Sequence, residues 1–261
     1  MPKVVLIGAE NYVLGRDFIS DALLYPNLRD SILTLVDIDK KRLDLAAAYT
    51  RKIVSQQNVN IKIESTTDQR AALDGADYVI NSFRSGGWPP VIKDREITMR
   101  FGIEIQSDAM GVGGVFSGLR HVPDVLEICH NMEEVCPDAW LFNYSNPQAI
   151  ICWAVNDYTH IKTIGLCPNP FHFARAISRY AQIPFSELYY TAAGLNHFAW
   201  FIELQWRGED LYPKLRETFK DPAVYLRANS PLGHVELVEV EMMQEFGYFT
   251  SGGQHLTMSQ P

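Results

Sequence analysis

Six short apolar runs punctuate the chain up to residue 166: Lys3–Gly8, Ile32–Asp37, Ile61–Glu64, Asp77–Ser82, Ala139–Tyr144 and Ile161–Leu166. They are rich in Val, Ile and Leu throughout and do not alternate with polar residues. That pattern belongs to strands buried on both faces of a parallel sheet. The segments between them have crossover length. Asp39–Gln56 reads as a helix opened by an Asp cap, and His121–Cys136 and Pro147–Tyr158 read as later helices, the last with proline in its first turn. Right-handed crossovers then predict an α/β fold, a doubly wound parallel sheet.

Beyond Leu166 the pattern changes. Phe171–Ala181 reads as a helix, and Tyr189–Trp206 is an aromatic and apolar stretch that ends at the turn signal Arg207-Gly208-Glu209-Asp210. This predicts antiparallel strands, followed by a helix over Val235–Phe246 and a loop-like ending from Ser251 to Pro261. No linker of low complexity separates the halves. We therefore expect two domains in direct succession, residues 1–165 as the doubly wound part and residues 166–261 as a smaller α+β part.

Composition narrows the function classes. The 261 residues are 47% hydrophobic and 21% charged, as in an ordinary globular protein. The net charge of −8, with no basic run, argues against a nucleic-acid partner. No apolar segment approaches the length of a membrane span, so no membrane partner is expected. The four cysteines, Cys129, Cys136, Cys152 and Cys167, form no Cys-x-x-Cys pair, which points to a reducing cytoplasm. Cys129 and Cys136 lie seven apart in a helical stretch and are expected to face the core as small hydrophobes.

Two places carry candidate chemistry. Gly8 follows the first strand and Asp37 ends the second, the positions of the phosphate-turn glycine and the ribose-holding acid in a dinucleotide-binding unit. The run Gly8-Ala9-Glu10-Asn11-Tyr12-Val13 has one of the fingerprint's three glycines, so an ordinary strand–turn–helix stays open, as does helix capping by Asp37. A second cluster, Gly111-Val112-Gly113-Gly114, with Gly118, precedes the expected His121 helix and reads either as ligand-approaching turns or as a loop. The second place is Cys167 with His197. A thiolate and an imidazole brought together by the fold suit a divalent transition metal, against the plain alternatives of a core cysteine and a hydrogen-bonded histidine.

The order of several segments resembles the NAD- and metal-dependent family 4 of glycoside hydrolases, in its α-galacturonidase/α-glucosidase-like branch. These are Leu35-Val36-Asp37-Ile38-Asp39, Phe83-Arg84-Ser85-Gly86-Gly87, Gly111-Val112-Gly113-Gly114, Leu119-Arg120-His121-Val122-Pro123, Asn143-Tyr144-Ser145-Asn146-Pro147, then Cys167 and Asn196-His197. The resemblance implies a Rossmann-type first half like that of lactate and malate dehydrogenases. It implies an enzyme that cleaves O-glycosyl bonds in a carbohydrate by redox elimination: NAD takes a hydride from sugar carbon 3, a divalent metal, usually Mn²⁺, stabilises the enediolate, and the glycosidic oxygen leaves. It implies cofactor binding by Gly8, Asp37 and Arg84, sugar binding by Asn146 and Asn196, and metal ligation by Cys167 and His197. Asn146 is open to a second reading, as a cap for the helix after Pro147. No catalytic residue is assigned.

The sequence departs from the family at Glu10, at Pro168 after the cysteine, where the family has His or Asp, and at Gly253, where the closest branch has Asp. His172 is the nearest histidine that would substitute. Family members are longer, so the second domain is expected to be shortened and its uncovered apolar faces to drive homo-oligomer formation. Two alternatives stay open: a catalytically impaired relative, and an NAD-dependent dehydrogenase of the malate or lactate type using Arg84, Arg120 and His197.

Overall fold

Strand β1 (Lys3–Ile7) sends Val5 and Ile7 into one apolar cluster and Val4 and Leu6 into another, so both faces of the sheet it belongs to are covered. The computed structural model describes residues 1–9, 18–19, 25–57, 59–103, 109, 111–195, 198–221, 223–224 and 237–252. The chain divides into two units, Met1–Leu166 and Cys167–Pro261.

In the first unit β1 is joined by β2 (Ile32–Val36), β3 (Lys62–Thr66), β4 (Tyr78–Asn81), β5 (Trp140–Asn143) and β6 (Lys162–Gly165). All pairings are parallel, in the order β3-β2-β1-β4-β5-β6. This is the doubly wound, Rossmann-type sheet expected from the apolar runs. Helix α1 (Lys40–Gln56) starts where Asp39 accepts from the Lys41 and Arg42 amides, and it buries Leu43 and Ala47 against Leu6, Leu33 and Leu35. On the opposite face lie α2 (Gln69–Leu73), α4 (Gly111–Val135) and α5 (Gln148–Tyr158), contributing Leu73, Ile128, Met132, Ile151 and Val155. Each such fully buried aliphatic side chain stabilises the fold by roughly 1.5–3 kcal/mol. Helix α3 (Trp88–Met99) packs on α4.

The structure corrects one element. Helix α4 begins at Gly111, ten positions before the expected His121, so the glycine cluster lies inside a helix. Of its glycines only Gly111 has positive φ, at 65°. Gly114 and Gly118 have close neighbours. A Cβ on Gly114 would lie 3.2 Å from the Ala109 carbonyl carbon, and one on Gly118 would lie 3.1 Å from Ile150. Packing, not turn geometry, explains Gly114 and Gly118.

The second unit builds on a hairpin of β7 (Leu188–Leu195) and β8 (Phe198–Trp206), with β10 (Thr250–Ser251) and β9 (Glu209–Asp210) also pairing with β8. The turn into β9 places Arg207 at φ 55° and Gly208 at φ 84°, which fits a two-residue hairpin turn. Helices α6 (Asn169–Tyr180), α7 (Tyr212–Thr218) and α8 (Leu237–Phe246) complete it. Its core joins Phe173, Ile177, Phe201, Leu204, Leu215, Met243 and Phe249. The Tyr212 hydroxyl donates to the Phe201 carbonyl and accepts from the Phe249 amide at 3.1 Å. Burial pushes that phenol up to about 12.

Candidate functional site

In a sheet ordered 3-2-1-4-5-6 the crossovers reverse direction between β1 and β4, and the carboxyl ends of those strands border a crevice. Gly8 leaves β1 there with φ 85°, its amide donating to the Val36 carbonyl at 3.0 Å. A Cβ at this position would lie 2.7 Å from the Phe83 amide nitrogen and 2.9 Å from the Phe83 Cβ. Only glycine lets the turn after β1 run this close to the loop after β4. The same seam is held by the Ser82 amide donating to the Ile7 carbonyl at 3.0 Å.

Asp37, at the end of β2, is buried, and its Oδ1 accepts from the Asp39 amide at 3.2 Å. Capping of α1 falls to Asp39, not to Asp37. Arg84 is half-buried in the loop after β4, with its guanidinium 4.0 Å from the centroid of the Trp88 ring. Ser85, next to it, is 5% exposed, and its Oγ is buried with no hydrogen-bond partner among the described residues. A buried polar atom of this kind on the rim of the crevice, beside a glycine cradle, fits a dinucleotide-binding edge. Glu10 and the residues through position 17 lie outside the described residues.

A network that the sequence reading did not assign knits the loops after β4 and β5. Asn81 and Asn143 are register partners, and both are fully buried. The Asn143 side chain straddles its own loop. Its Nδ2 donates to the Ser145 carbonyl at 3.0 Å and its Oδ1 accepts from the Ser145 amide at 3.3 Å, which fixes the amide's orientation. The Asn81 Nδ2 then donates to the Asn143 Oδ1 at 2.9 Å. The Ser145 hydroxyl shares its single proton between the Phe83 carbonyl at 2.7 Å and the Asn81 Oδ1 at 3.1 Å. From α4, the Ser85 amide donates to His121 Nε2 at 3.1 Å, and the Ser117 hydroxyl donates to the Asn146 carbonyl at 3.5 Å. The signal available in the sequence was an asparagine one position before the end of two apolar runs, Asn81 and Asn143.

Asn146 therefore lies in a loop held from two sides, ahead of the cis bond to Pro147. It does not cap α5: the N-cap position is Pro147, and no side chain caps that end. Arg120 makes a bidentate pair with Asp94, at 3.1 and 2.5 Å, between α4 and α3. That pairing makes it a strut and not a free anion receptor.

In the second unit, Cys167 is partly exposed and unoxidised, directly before Pro168, the N-cap of α6. The Asn169 Nδ2 nearby is buried with no hydrogen-bond partner among the described residues. Asn196 and His197 lie outside the described residues, as does Gly253. Among the described residues no group of three His, Cys, Asp or Glu side chains is placed to hold a metal. The donor atom of Cys167, a soft sulfur, suits a transition metal. His172 is exposed on α6 beside Phe171. Cys129 and Cys136 are buried, as expected; burial pushes the Cys129 thiol up to about 12 and raises Cys136.

The fold and the crevice define an α/β protein of the dinucleotide-binding architecture. Comparison with known proteins gives the particular family. Residues 3–183 match the family 4 glycosyl hydrolases, and residues 192–260 match the C-terminal domain of the same family. The chain belongs to glycosyl hydrolase family 4. It is 34% identical over 258 residues to an α-galactosidase of Bacillus subtilis (strain 168), covering 98% of this chain and 58% of that protein. Its fold matches a crystal structure of a 6-phospho-α-glucosidase from gut microorganisms in complex with NAD and Mn²⁺, with TM-score 0.84 and 24% identity, over 99% of this chain and 61% of that one. A lactate dehydrogenase of Eimeria maxima, solved with NADH and oxamate, shares the fold more distantly, with TM-score 0.62 and 14% identity over 98% of this chain and 73% of that one. The chain spans little more than half the length of two α-galactosidases it matches, 58% and 52%.

Proposed function

We propose that the chain acts as a glycosidase on O-glycosyl bonds of a carbohydrate, using NAD and a divalent metal, Mn²⁺, by redox elimination. The observation that carries this reading is the close approach of Gly8 to Phe83 at the switch point of the sheet, in a member of family 4. NAD, when bound, supplies reversible hydride acceptance at sugar carbon 3, and the metal supplies charge stabilisation beside it. The residues have separate tasks. Gly8 leaves the turn open for the pyrophosphate, Asp37 holds the ribose hydroxyls, and Arg84 supplies positive charge at the cofactor. Asn146 and Asn196 hold sugar hydroxyls, and Cys167 and His197 are the metal ligands.

The relative solved with NAD and Mn²⁺ supports the cofactor pair. A cytoplasmic setting and a homo-oligomer complete the proposal. The second follows from broad exposed apolar side chains, including Leu119 at 71%, Trp153 at 70% and Trp88 at 65%. A monomer by light scattering would rule it out.

A second reading, cofactor binding without turnover, is favoured by Pro168, which has no transferable proton where the family has His or Asp. Heat denaturation with NAD⁺, with and without Mn²⁺, tests the first reading. A ligand at 100 times its dissociation constant adds about 2.7 kcal/mol. Stabilisation by both, with the Mn²⁺ part lost in Cys167→Ser and His197→Ala, supports it. Stabilisation by NAD⁺ without release of sugar from any glycoside favours the second, and no response to either rejects both.

A further inference from the structure

Arg84 sits between two pinned peptide groups. On its N-terminal side the Phe83 carbonyl accepts from the Ser145 hydroxyl at 2.7 Å. On its C-terminal side the Ser85 amide donates to His121 Nε2 at 3.1 Å. His121 is 2% exposed and Ser145 4%, so the side chain making each contact is buried. A backbone amide can only donate, so Nε2 carries no proton. Nδ1 lies 2.9 Å from the Ser117 carbonyl, which can only accept, so Nδ1 carries it. The Phe83 ring stacks on the imidazole with centroids 6.0 Å apart and planes 15° from parallel, restricting rotation of the histidine. A buried histidine on α4 is thus held in one tautomer and aimed at one amide of the loop that carries Arg84.

We propose that His121 is a positioning residue: its neutral Nδ1–H tautomer latches the loop after β4 and so sets the direction in which Arg84 meets the cofactor. The second clause rests on the nucleotide reading above; the latch itself does not. Ser145 is the other half of the device. The two contacts flanking Arg84 are made by side chains from different elements, and together they fix the direction of its backbone.

The test begins on the unmodified chain. Long-range ¹H–¹⁵N spectra of the histidines read the tautomer, and amide exchange of Ser85 reads the latch. The expected result is the Nδ1–H form with a protected Ser85 amide. In His121→Leu that amide exchanges faster by roughly fivefold, the factor expected when a hydrogen bond of typical net strength is lost. His121→Gln, which keeps an acceptor near the Nε2 position, restores most of the protection. NAD⁺ affinity by calorimetry follows the same order, weakened in the leucine variant and recovered in the glutamine variant. An Nε2–H tautomer, or Ser85 exchange indifferent to His121→Leu, overturns the proposal. Exchange that responds as expected in a chain that binds no NAD⁺ supports the latch and overturns the nucleotide reading instead. Affinity that is unchanged while the latch opens overturns the link between His121 and the cofactor.

Discussion

Asn81 and Asn143 face each other across neighbouring parallel strands, the Nδ2 of the first donating to the Oδ1 of the second at 2.9 Å with both residues fully buried. Through Ser145 this pair reaches the Phe83 carbonyl, so it couples the ends of β4 and β5 to the loop bearing Arg84. The network is satisfied by its own members, which is what makes burial of two amides affordable.

Removing both members should therefore cost less than the sum of the two single removals. Asn143→Ala strands the Asn81 amide and both Ser145 main-chain groups, and is expected to destabilise the fold by about 2 kcal/mol or more. The double variant Asn81→Leu with Asn143→Leu should lose less than the sum of the two single leucine variants. Urea denaturation of all variants measures the coupling, and additive effects would show that the network is not cooperative.

Gly8→Ala should be destructive to both fold and site. Its φ of 85° is costly for alanine, and the added Cβ would lie 2.7 Å from the Phe83 amide nitrogen, a backbone atom that cannot swing aside. A loss of more than about 1 kcal/mol is expected from the backbone conformation alone. Gly75→Ala, also at positive φ but with open space around its Cβ position, isolates that conformational part. Melting temperatures of the two variants separate strain from collision.

Stability should fall as the pH rises above about 9. Unfolded thiols and phenols ionise near 9.0 and 10.0, whereas burial holds Cys129 and Tyr212 protonated to about 12 and raises Cys136 and Cys152. Between these values the folded state binds more protons than the unfolded one, so each step up in pH favours unfolding. The contribution is fully present below pH 9 and lost by about 12. Urea midpoints across this range check the sign, and Cys129→Ala should flatten the slope.

Tyr212→Phe removes one hydroxyl that both donates to Phe201 and accepts from Phe249. It leaves a buried carbonyl and a buried amide without their partner, an expected cost of about 1–3 kcal/mol. The variant should therefore melt earlier, which differential scanning calorimetry reads; an unchanged melting temperature would show that the hydroxyl's two contacts add nothing to stability.

Alkylation of the native chain should separate the cysteines. Cys129, 0% exposed and with its thiol pushed up to about 12, should resist, whereas the partly exposed Cys167 should react first. Mn²⁺ is expected to slow the Cys167 reaction selectively, which peptide mapping by mass spectrometry reads directly.

Periodicity alone gave six strands, their parallel pairing and the Asp39 cap, because apolar runs bounded by turn residues have few alternative uses. It misread the glycines at 111–118. Sequence shows that a residue has no side chain but not whether a turn or a close neighbour requires it; contact with Ile150, 32 positions on from Gly118, decides that. The candidate residues divide in the same way. Gly8 and Asp37 were candidates from their places at strand ends, Arg84 from the family resemblance, and Cys167 from its chemistry. His121, Ser145 and the two asparagines were visible as letters without roles. Their cross-loop partners lie 36 to 64 residues away, and hydrogen-bond direction exists only once those partners meet. The sequence by itself determined the family and the sheet, through local patterns and motif order. Tertiary structure alone decided how the loops at the crevice are held, because buried polar groups take their function from whatever the fold sets against them.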